Sequence, residues 1–551
     1  MSLTTIVVAI LPSFGVFIFK QNNTFWVNNA MLTSIFAIFT ICFSLIFNYF
    51  SNNHLRNYFV NECLEIVSNT QMPKQLPKVV YVYTTHDDFL PTRLLQNMQQ
   101  TYENFEVWIA DGSTHDDVRK ETVEFAKKYN IHICQMPKTG SQSKAHNLNY
   151  FLKHSGAVFD YLLIADSDEI FDKNFVKCNI RFFYSKIGDR LAYITPLNQT
   201  YKSKGLFTNF ARSSDDLGLF NRFLKHNYSF SNFPHLMGCS SLINANFLKT
   251  INFSFPNEVS EDIWTENSAV RNNWFSLYSP LNVCIQEFDK NIKSFQKRTS
   301  RIYDSIIKMD KNNPFYNFND HYIMWFGSYF ISVFVLIIFV LGIALLIPLI
   351  WLIIHFWNDI LSAVMLWYFV GIVLGLLLLT FTLLSSNNSK ILGFKRSIVA
   401  PFFIVINMVA TIPMFLKHWF TATILSKYAD FSTGSNTRHF GKVKKHKIPW
   451  KNILWFFLTT IPLVIVDVLF PYYGLLNPNN WELWVFITIN VFFGILWISF
   501  ACNLIGDILS VIPHNSKYNK DEFIYYKNDF VNFKKIKDNF YSENKQFERL
   551  C

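Results

Sequence analysis

The sequence predicts an α/β domain with a mostly parallel sheet, inserted between membrane-spanning α-helices. Three observations predict it. Of the 551 residues, 50% are hydrophobic and only 16% charged, where a soluble domain of this length carries about a quarter charged residues. Long apolar runs lie towards both ends of the chain and leave one extended polar block between them. Inside that block, short strand-like apolar runs alternate with polar or amphipathic stretches, the order of a parallel sheet with crossover helices. The same composition excludes a disordered chain, a collagen repeat and a disulfide scaffold.

Crossing roughly 30 Å of hydrocarbon takes about 20 mostly apolar residues, because every backbone amide must be satisfied within the segment. Leu3 to Phe19 and Phe25 to Phe50 are expected to form an uncleaved hairpin, since the first run opens Met-Ser-Leu-Thr-Thr and the second follows at once. Further spans are expected at Tyr329 to Phe356, Ile360 to Leu384, Ile453 to Phe470 and Trp484 to Ile512, giving six. The segment Ile398 to Leu425 is apolar but interrupted by Pro401, Asn407, Pro413, Lys417 and His418. Placed in the interface, it leaves Lys390, Lys395 and Arg396 on the same side as Arg438, Lys442, Lys444, Lys445 and Lys447, and that side is then cytoplasmic.

The expected organisation is two helices over 1–50, a cytoplasmic α/β domain over 51–322 and two helices over 323–386. An interfacial helix and basic loop over 387–450, two helices over 451–512 and a cytoplasmic tail over 513–551 complete it. The formal charge of +11 fits loops facing an anionic leaflet, so the lipid bilayer and not nucleic acid is the partner it implies. The eight cysteines never fall as C-x-x-C and lack zinc-site spacing, so reduced, unmetallated thiols are expected. Phe 59 against Gly 18 and Pro 18, with abundant Asn, Lys and Ile, suggests AT-rich coding and the plasma membrane of a low-GC bacterium.

Strands are expected at Lys78 to Thr84, Phe105 to Ala110, Ile131 to Gln135 and Tyr161 to Ala165. In such a sheet ligands sit beyond the carboxyl ends of the strands. Thr85-His86-Asp87-Asp88 follows the first, Asp111-Gly112-Ser113-Thr114 the second and Asp166-Ser167-Asp168-Glu169 the fourth. Two carboxylates at i, i+2 can gather oxygens around one hard divalent cation, which can neutralise a diphosphate. One Asp-x-Asp is more often a solvated acidic loop. Three acidic loops at strand ends outweigh that reading.

Five motifs in order carry a resemblance: Asp111-Gly112-Ser113-Thr114, Lys144-Ala145-His146-Asn147-Leu148-Asn149, Asp166-Ser167-Asp168, Gly238-Cys239-Ser240-Ser241 and Ser260-Glu261-Asp262. Together they resemble the family-2 glycosyltransferases with a GT-A fold, a Rossmann-like α/β domain, particularly the membrane-embedded cellulose and hyaluronan synthases. The resemblance covers about 77 to 302. It implies that Thr85, His86, Asp88 and Asp111 cradle a uridine, that Lys144 reaches the nucleotide or its diphosphate, and that Asp166 and Asp168 hold nucleotide and Mg2+ or Mn2+. It implies that Asp262 is the base beside Glu261, with Cys239 and Ser240 near the acceptor.

The resemblance further implies contacts to acceptor or diphosphate from Gln296, Arg298 and Arg301, and from Thr437 and Arg438 in the loop Phe431 to Arg438, which is similar to a gating loop. Two departures stand out. His146 replaces a family glycine, and Arg298-Thr299-Ser300-Arg301-Ile302 stands where the family has Gln-x-x-Arg-Trp, so the aromatic platform for the acceptor is missing. Trp264 and Trp274 are expected to pack in the core.

The function this implies is a polysaccharide synthase moving sugar, with glucose as the guess, from a UDP-sugar to a growing glycan with inversion and export. A single-addition enzyme acting on a lipid carrier or glycolipid, and a non-catalytic transporter or scaffold, stay open.

Overall fold

The computed structural model describes residues 61–138, 143–200, 240–258 and 261–286, together with some residues within 292–298, 453–465 and 497–508 and residue 425. The chain divides into two compact units, Met1–His54 with Ser328–Pro413 and Ile448–Ile508, and Leu55–Gly327 with Met414–Lys447 and Leu509–Cys551. The α/β architecture lies in the second.

Its elements in chain order are β1 Val79–Thr85, α1 Pro91–Asn97, β2 Phe105–Asp111, α2 Asp116–Tyr129, β3 His132–Gln135, α3 Lys144–His154 and β4 Tyr161–Asp166. Then follow β5 Ile170–Phe171, α4 Phe175–Asn179, β6 Leu191–Thr200, β7 Ser241–Asn244, α5 Ala245–Thr250, α6 Glu261–Arg271 and β8 Phe275–Gln286. The strands form one eight-stranded sheet in the order β3-β2-β1-β4-β7-β6-β8-β5. Neighbours from β3 to β4 run parallel, as do β6 and β8, whereas β7 is antiparallel to both β4 and β6 and β5 is antiparallel to β8. The expected strands are thus β1 to β4, with ends shifted by at most one residue; the antiparallel extension through β7 was not read from the sequence.

β1 reads Val-Val-Tyr-Val-Tyr-Thr-Thr and is buried along its whole length, which a strand covered on both faces requires. Val79, Tyr81 and Tyr83 face a core with Leu94 of α1 and Val118 and Phe125 of α2. Val80 and Val82 face a second core with Leu148 and Phe151 of α3, Phe247 of α5 and Ala269 of α6. Each fully buried Val, Leu or Phe contributes about 1.5–3 kcal/mol relative to exposure. Helix ends follow local chemistry. Pro91 starts α1 at a position where no backbone donor is missed. α2 carries Asp116 and Asp117 in its first turn, Lys127 and Lys128 in its last, and stops at Asn130 in the left-handed region.

α6 opens on Glu261 and Asp262. The helix ends at Arg271, because Asn273 turns left-handed at φ 56° and the Trp274 N–H folds back onto the Ala269 carbonyl at 2.9 Å. Trp274 then packs on Phe247 with ring centroids 5.9 Å apart. Cys63, Cys134, Cys284 and Cys502 are free thiols, but Cys178 is disulfide-bonded, so the expectation of uniformly reduced cysteines does not hold there.

Among the described residues no helix is long and apolar enough to cross a membrane. The expected spans between 1 and 50 and between 329 and 384, the interfacial segment apart from Leu425, and the tail lie outside the described residues. In the other unit, Trp497 Nε1 donates to Thr460 Oγ1 at 2.8 Å, and the rings of Phe456 and Trp497 lie 5.3 Å apart. Helical Leu454, Phe457 and Ile461 are each more than half exposed.

Candidate active site

Register decides what the strand ends present. Thr85 lies opposite Asp111, Thr84 opposite Asp166, and Asp111 opposite Gln135, so the polar ends of four strands, β1 to β4, finish flush along one edge. The loops after β1 and β2 then grip each other. His86 Nδ1 donates to the Gly112 carbonyl at 2.7 Å, because a carbonyl can only accept. Asp87 sits left-handed at φ 57° and accepts from the Thr114 N–H, the Thr114 hydroxyl and the His115 N–H at 2.5–2.9 Å. Burial pulls the Asp87 carboxyl up, but these bonds outweigh it and hold it below the usual carboxylate range. Asp111 is fully buried, its carboxylate accepting from the Ser113 N–H, the Thr122 hydroxyl and Gln135 Nε2.

Asp88 joins this pair of loops to the third. One oxygen accepts from the His86 N–H at 2.8 Å and the Thr85 hydroxyl at 3.0 Å, and the other from the Ser167 hydroxyl at 2.5 Å. Burial raises the Asp88 carboxyl and the three bonds only partly offset it. The Asp166-Ser167-Asp168 loop is also held from α1. Arg93, fully buried, donates to the Asp168 carbonyl, and Asn97 Nδ2 donates to the Glu169 carbonyl at 2.9 Å.

Lys144 is the first residue of α3, whose cap is Ser143, a side chain that accepts the His146 N–H while the His146 ring folds back to 2.7 Å from its hydroxyl. From there the Lys144 ammonium pairs with Asp166. Burial lowers the affinity of Lys144 for its proton, but Asp166, Glu261 and Glu169 outweigh this and hold it charged. Glu261, in the first turn of α6, is pushed up to about 7 by burial and by Asp262, with Lys144 opposing. Glu169 is likewise raised to about 7, by burial and by Asp166. One cation therefore stands among carboxylates from β4, the turn after it and α6.

Other residues of the Lys144 to Asn149 motif hold the frame. Asn147 Nδ2 donates to the Ala110 carbonyl at 2.8 Å, under the end of β2. The Asn149 amide closes two bonds on the Phe255 backbone, at 2.7 and 2.8 Å, tying α3 to the segment that leads towards Glu261.

Residues 79–251 match the family model for Glycosyl transferase family 2. The chain thus carries a glycosyl transferase family 2 domain of mixed, mostly parallel α/β build. Solved structures resemble this glycosyltransferase domain over part of their length. The crystal structure of S. aureus TarS is 17% identical over 42% of this chain and 39% of that one, with a TM-score of 0.29. The TarS 1-349 structure in complex with UDP-GlcNAc is 17% identical over 42% and 66%, with a TM-score of 0.28. GalNAc-T7 with UDP, GalNAc and Mn2+ is 10% identical over 38% and 43%, with a TM-score of 0.29. The chain spans about two-fifths of the full TarS chain it matches. No curated protein matches at a significant level.

For the glycosyltransferase domain the fit of a divalent cation rests on its donor set. Asp166 and Asp168 offer carboxylate oxygens two residues apart, and the Asp166 side chain keeps 42% of its surface exposed. No group of three or more metal-ligating side chains occurs among the described residues. One or two carboxylates, with phosphate and water completing the shell, suits Mg2+ or Mn2+.

Ser240 is buried, with its N–H and hydroxyl both on Glu169. Gln296 and Arg298 lie on a helical stretch, where the Arg298 guanidinium stands 5.7 Å from the Phe295 ring centroid. Cys239, Ser260, Arg301, Thr437 and Arg438 lie outside the described residues. The sequence reading missed Arg93 and Asn97, and it placed Asp87 and Glu169 in the acidic loops without giving either a role of its own. Arg93 and Asn97 carried a signal, being polar residues at i, i+4 on a short helix that also buries Leu94.

Proposed function

We propose that the chain is an inverting membrane glycosyltransferase that takes a sugar from a UDP-sugar, glucose by our assignment, and adds it to a growing polysaccharide exported between its spans. The observation that carries this is Lys144, whose ammonium lies among Asp166 at the β4 end and Glu261 beside Asp262 on α6. Inversion needs a base on the attacking hydroxyl and positive charge on the departing diphosphate at opposite sides of the sugar C1. Asp262 takes the hydroxyl proton as its oxygen forms the new bond to C1, and UDP leaves with the electron pair of the old one. The Lys144 ammonium offers the leaving diphosphate a half-buried counter-charge, and Thr85, His86, Asp88 and Asp111 frame the nucleotide end. A divalent cation held by Asp166 and Asp168 would neutralise further diphosphate charge.

Membrane placement is supported by the apolar runs flanking the domain and by the exposed apolar side chains of Leu454, Phe457 and Ile461, which suit a lipid surface better than water. The missing aromatic at Ile302 favours a second reading, single addition to a lipid carrier. Purified full-length protein in detergent, given UDP-sugars with Mg2+ or Mn2+, is expected to release UDP and make high-mass polymer that a matching glycanase digests. Lipid-phase products of one or two sugars would establish the second reading. Unchanged cellular phenotype in Asp168→Asn and Asp262→Asn would leave only a non-catalytic scaffold.

A further inference from the structure

Beyond adding to the field that keeps Lys144 charged, Glu169 has no role in the chemistry above, yet its carboxylate is fully buried beside it. Its Oε2 accepts three hydrogen bonds, from the Asp166 N–H at 2.8 Å, the Ser240 N–H at 2.9 Å and the Ser240 hydroxyl at 2.9 Å. The placement explains the need. β4 and β7 pair antiparallel only as far as Ile164 opposite Ser241, so the Asp166 and Ser240 N–H groups lie just past the last rung of the ladder. Buried backbone donors require partners, and one carboxylate oxygen satisfies both. The brace continues on either side. Since the Ser240 hydroxyl donates its hydrogen to Glu169, the Cys284 thiol of β8 donates to Ser240 Oγ at 3.0 Å, and the Glu169 carbonyl accepts from Asn97 at 2.9 Å.

We infer that Glu169 is a positioning residue that locks the Asp166-Ser167-Asp168 loop to the start of β7, and so fixes the sugar C1 relative to the attacking hydroxyl. This rests on the glycosyltransferase reading and adds the residue that enforces its alignment. A bound acceptor must meet C1 in line, and a misplacement of about 1 Å can cost roughly 100-fold. Water is small and unanchored, so it is less sensitive to the same shift. In hydrolysis the water oxygen forms the new C1–O bond, its proton goes to the base, and UDP leaves with the electron pair of the broken bond.

The deciding measurement is the ratio of donor hydrolysis to sugar transfer, with UDP binding in Mn2+ followed by calorimetry. Glu169→Ala is expected to raise that ratio about tenfold or more and to weaken UDP binding several-fold. Glu169→Gln keeps an oxygen able to accept all three bonds and is expected to stay within about threefold of wild type on both. A purely structural role lowers the folded fraction but cannot move the ratio, since both products come from the same folded molecules. If Glu169→Ala does not accumulate, Ser240→Ala removes one of the three bonds and is expected to raise the ratio about two- to threefold. An unmoved ratio in the accumulating variant, or Glu169→Gln behaving like Glu169→Ala, overturns the inference. Wild type that consumes no UDP-sugar would overturn the glycosyltransferase reading instead, and UDP calorimetry on the variants would still decide the role of Glu169.

Discussion

The ammonium of Lys144, at the start of α3, is ion-paired with Asp166 at the end of β4 while Glu261 at the start of α6 adds to the field that keeps it charged. Removing it leaves three carboxylates without their cation, in the place where the proposed diphosphate brings more negative charge. Lys144→Ala is expected to lower the rate of UDP release about 100-fold or more and to weaken UDP binding. Initial rates and calorimetry check this; a variant within threefold of wild type contradicts it.

Glu261 shares the pH dependence with Glu169, which is raised to the same range. Burial and the adjacent Asp262 raise Glu261 from 4.5 to about 7 in the folded protein, so between those values the folded chain holds a proton that the unfolded chain releases. Its contribution to stability is therefore full below about 4.5 and lost as pH rises through about 7. Glu261→Gln is expected to flatten the dependence of Tm on pH across that window. The same change removes a negative neighbour from Asp262, so the ascending limb of kcat/KM against pH should move to lower pH. Parallel Tm curves together with an unmoved limb would refute this.

Asn149 holds the segment before α6 by two backbone bonds to Phe255. Losing them in Asn149→Ala is expected to cost about 1–3 kcal/mol. Because that segment leads to the proposed base, kcat should fall more than KM for the donor rises. Thermal unfolding and steady-state kinetics separate the outcomes, and a lowered Tm with normal kcat would assign the motif to stability alone.

Asp88 uses both oxygens to bind the β1 loop and Ser167. Asn in its place has one acceptor oxygen, so at least one of those bonds is lost. Asp88→Asn is expected to destabilise by about 1–3 kcal/mol and to raise the donor KM several-fold, since two loops at the nucleotide end shift together. An unchanged KM in a folded variant would remove Asp88 from the donor site.

β1 to β4 and the chemistry of their ends are legible from the residues alone. A strand buried on both faces must be apolar throughout, and Thr85, Asp111 and Asp166 each mark where that run stops. Such patterns are local and can be read within a few residues. The folded chain alone reveals that Asp111 is enclosed by Thr122 and Gln135, that Asn149 grips Phe255 across 106 residues, and that Glu169 reaches Ser240 across 71. These pairings are set by which buried donors and acceptors are left over once the strands have found their register, and periodicity carries no record of that remainder.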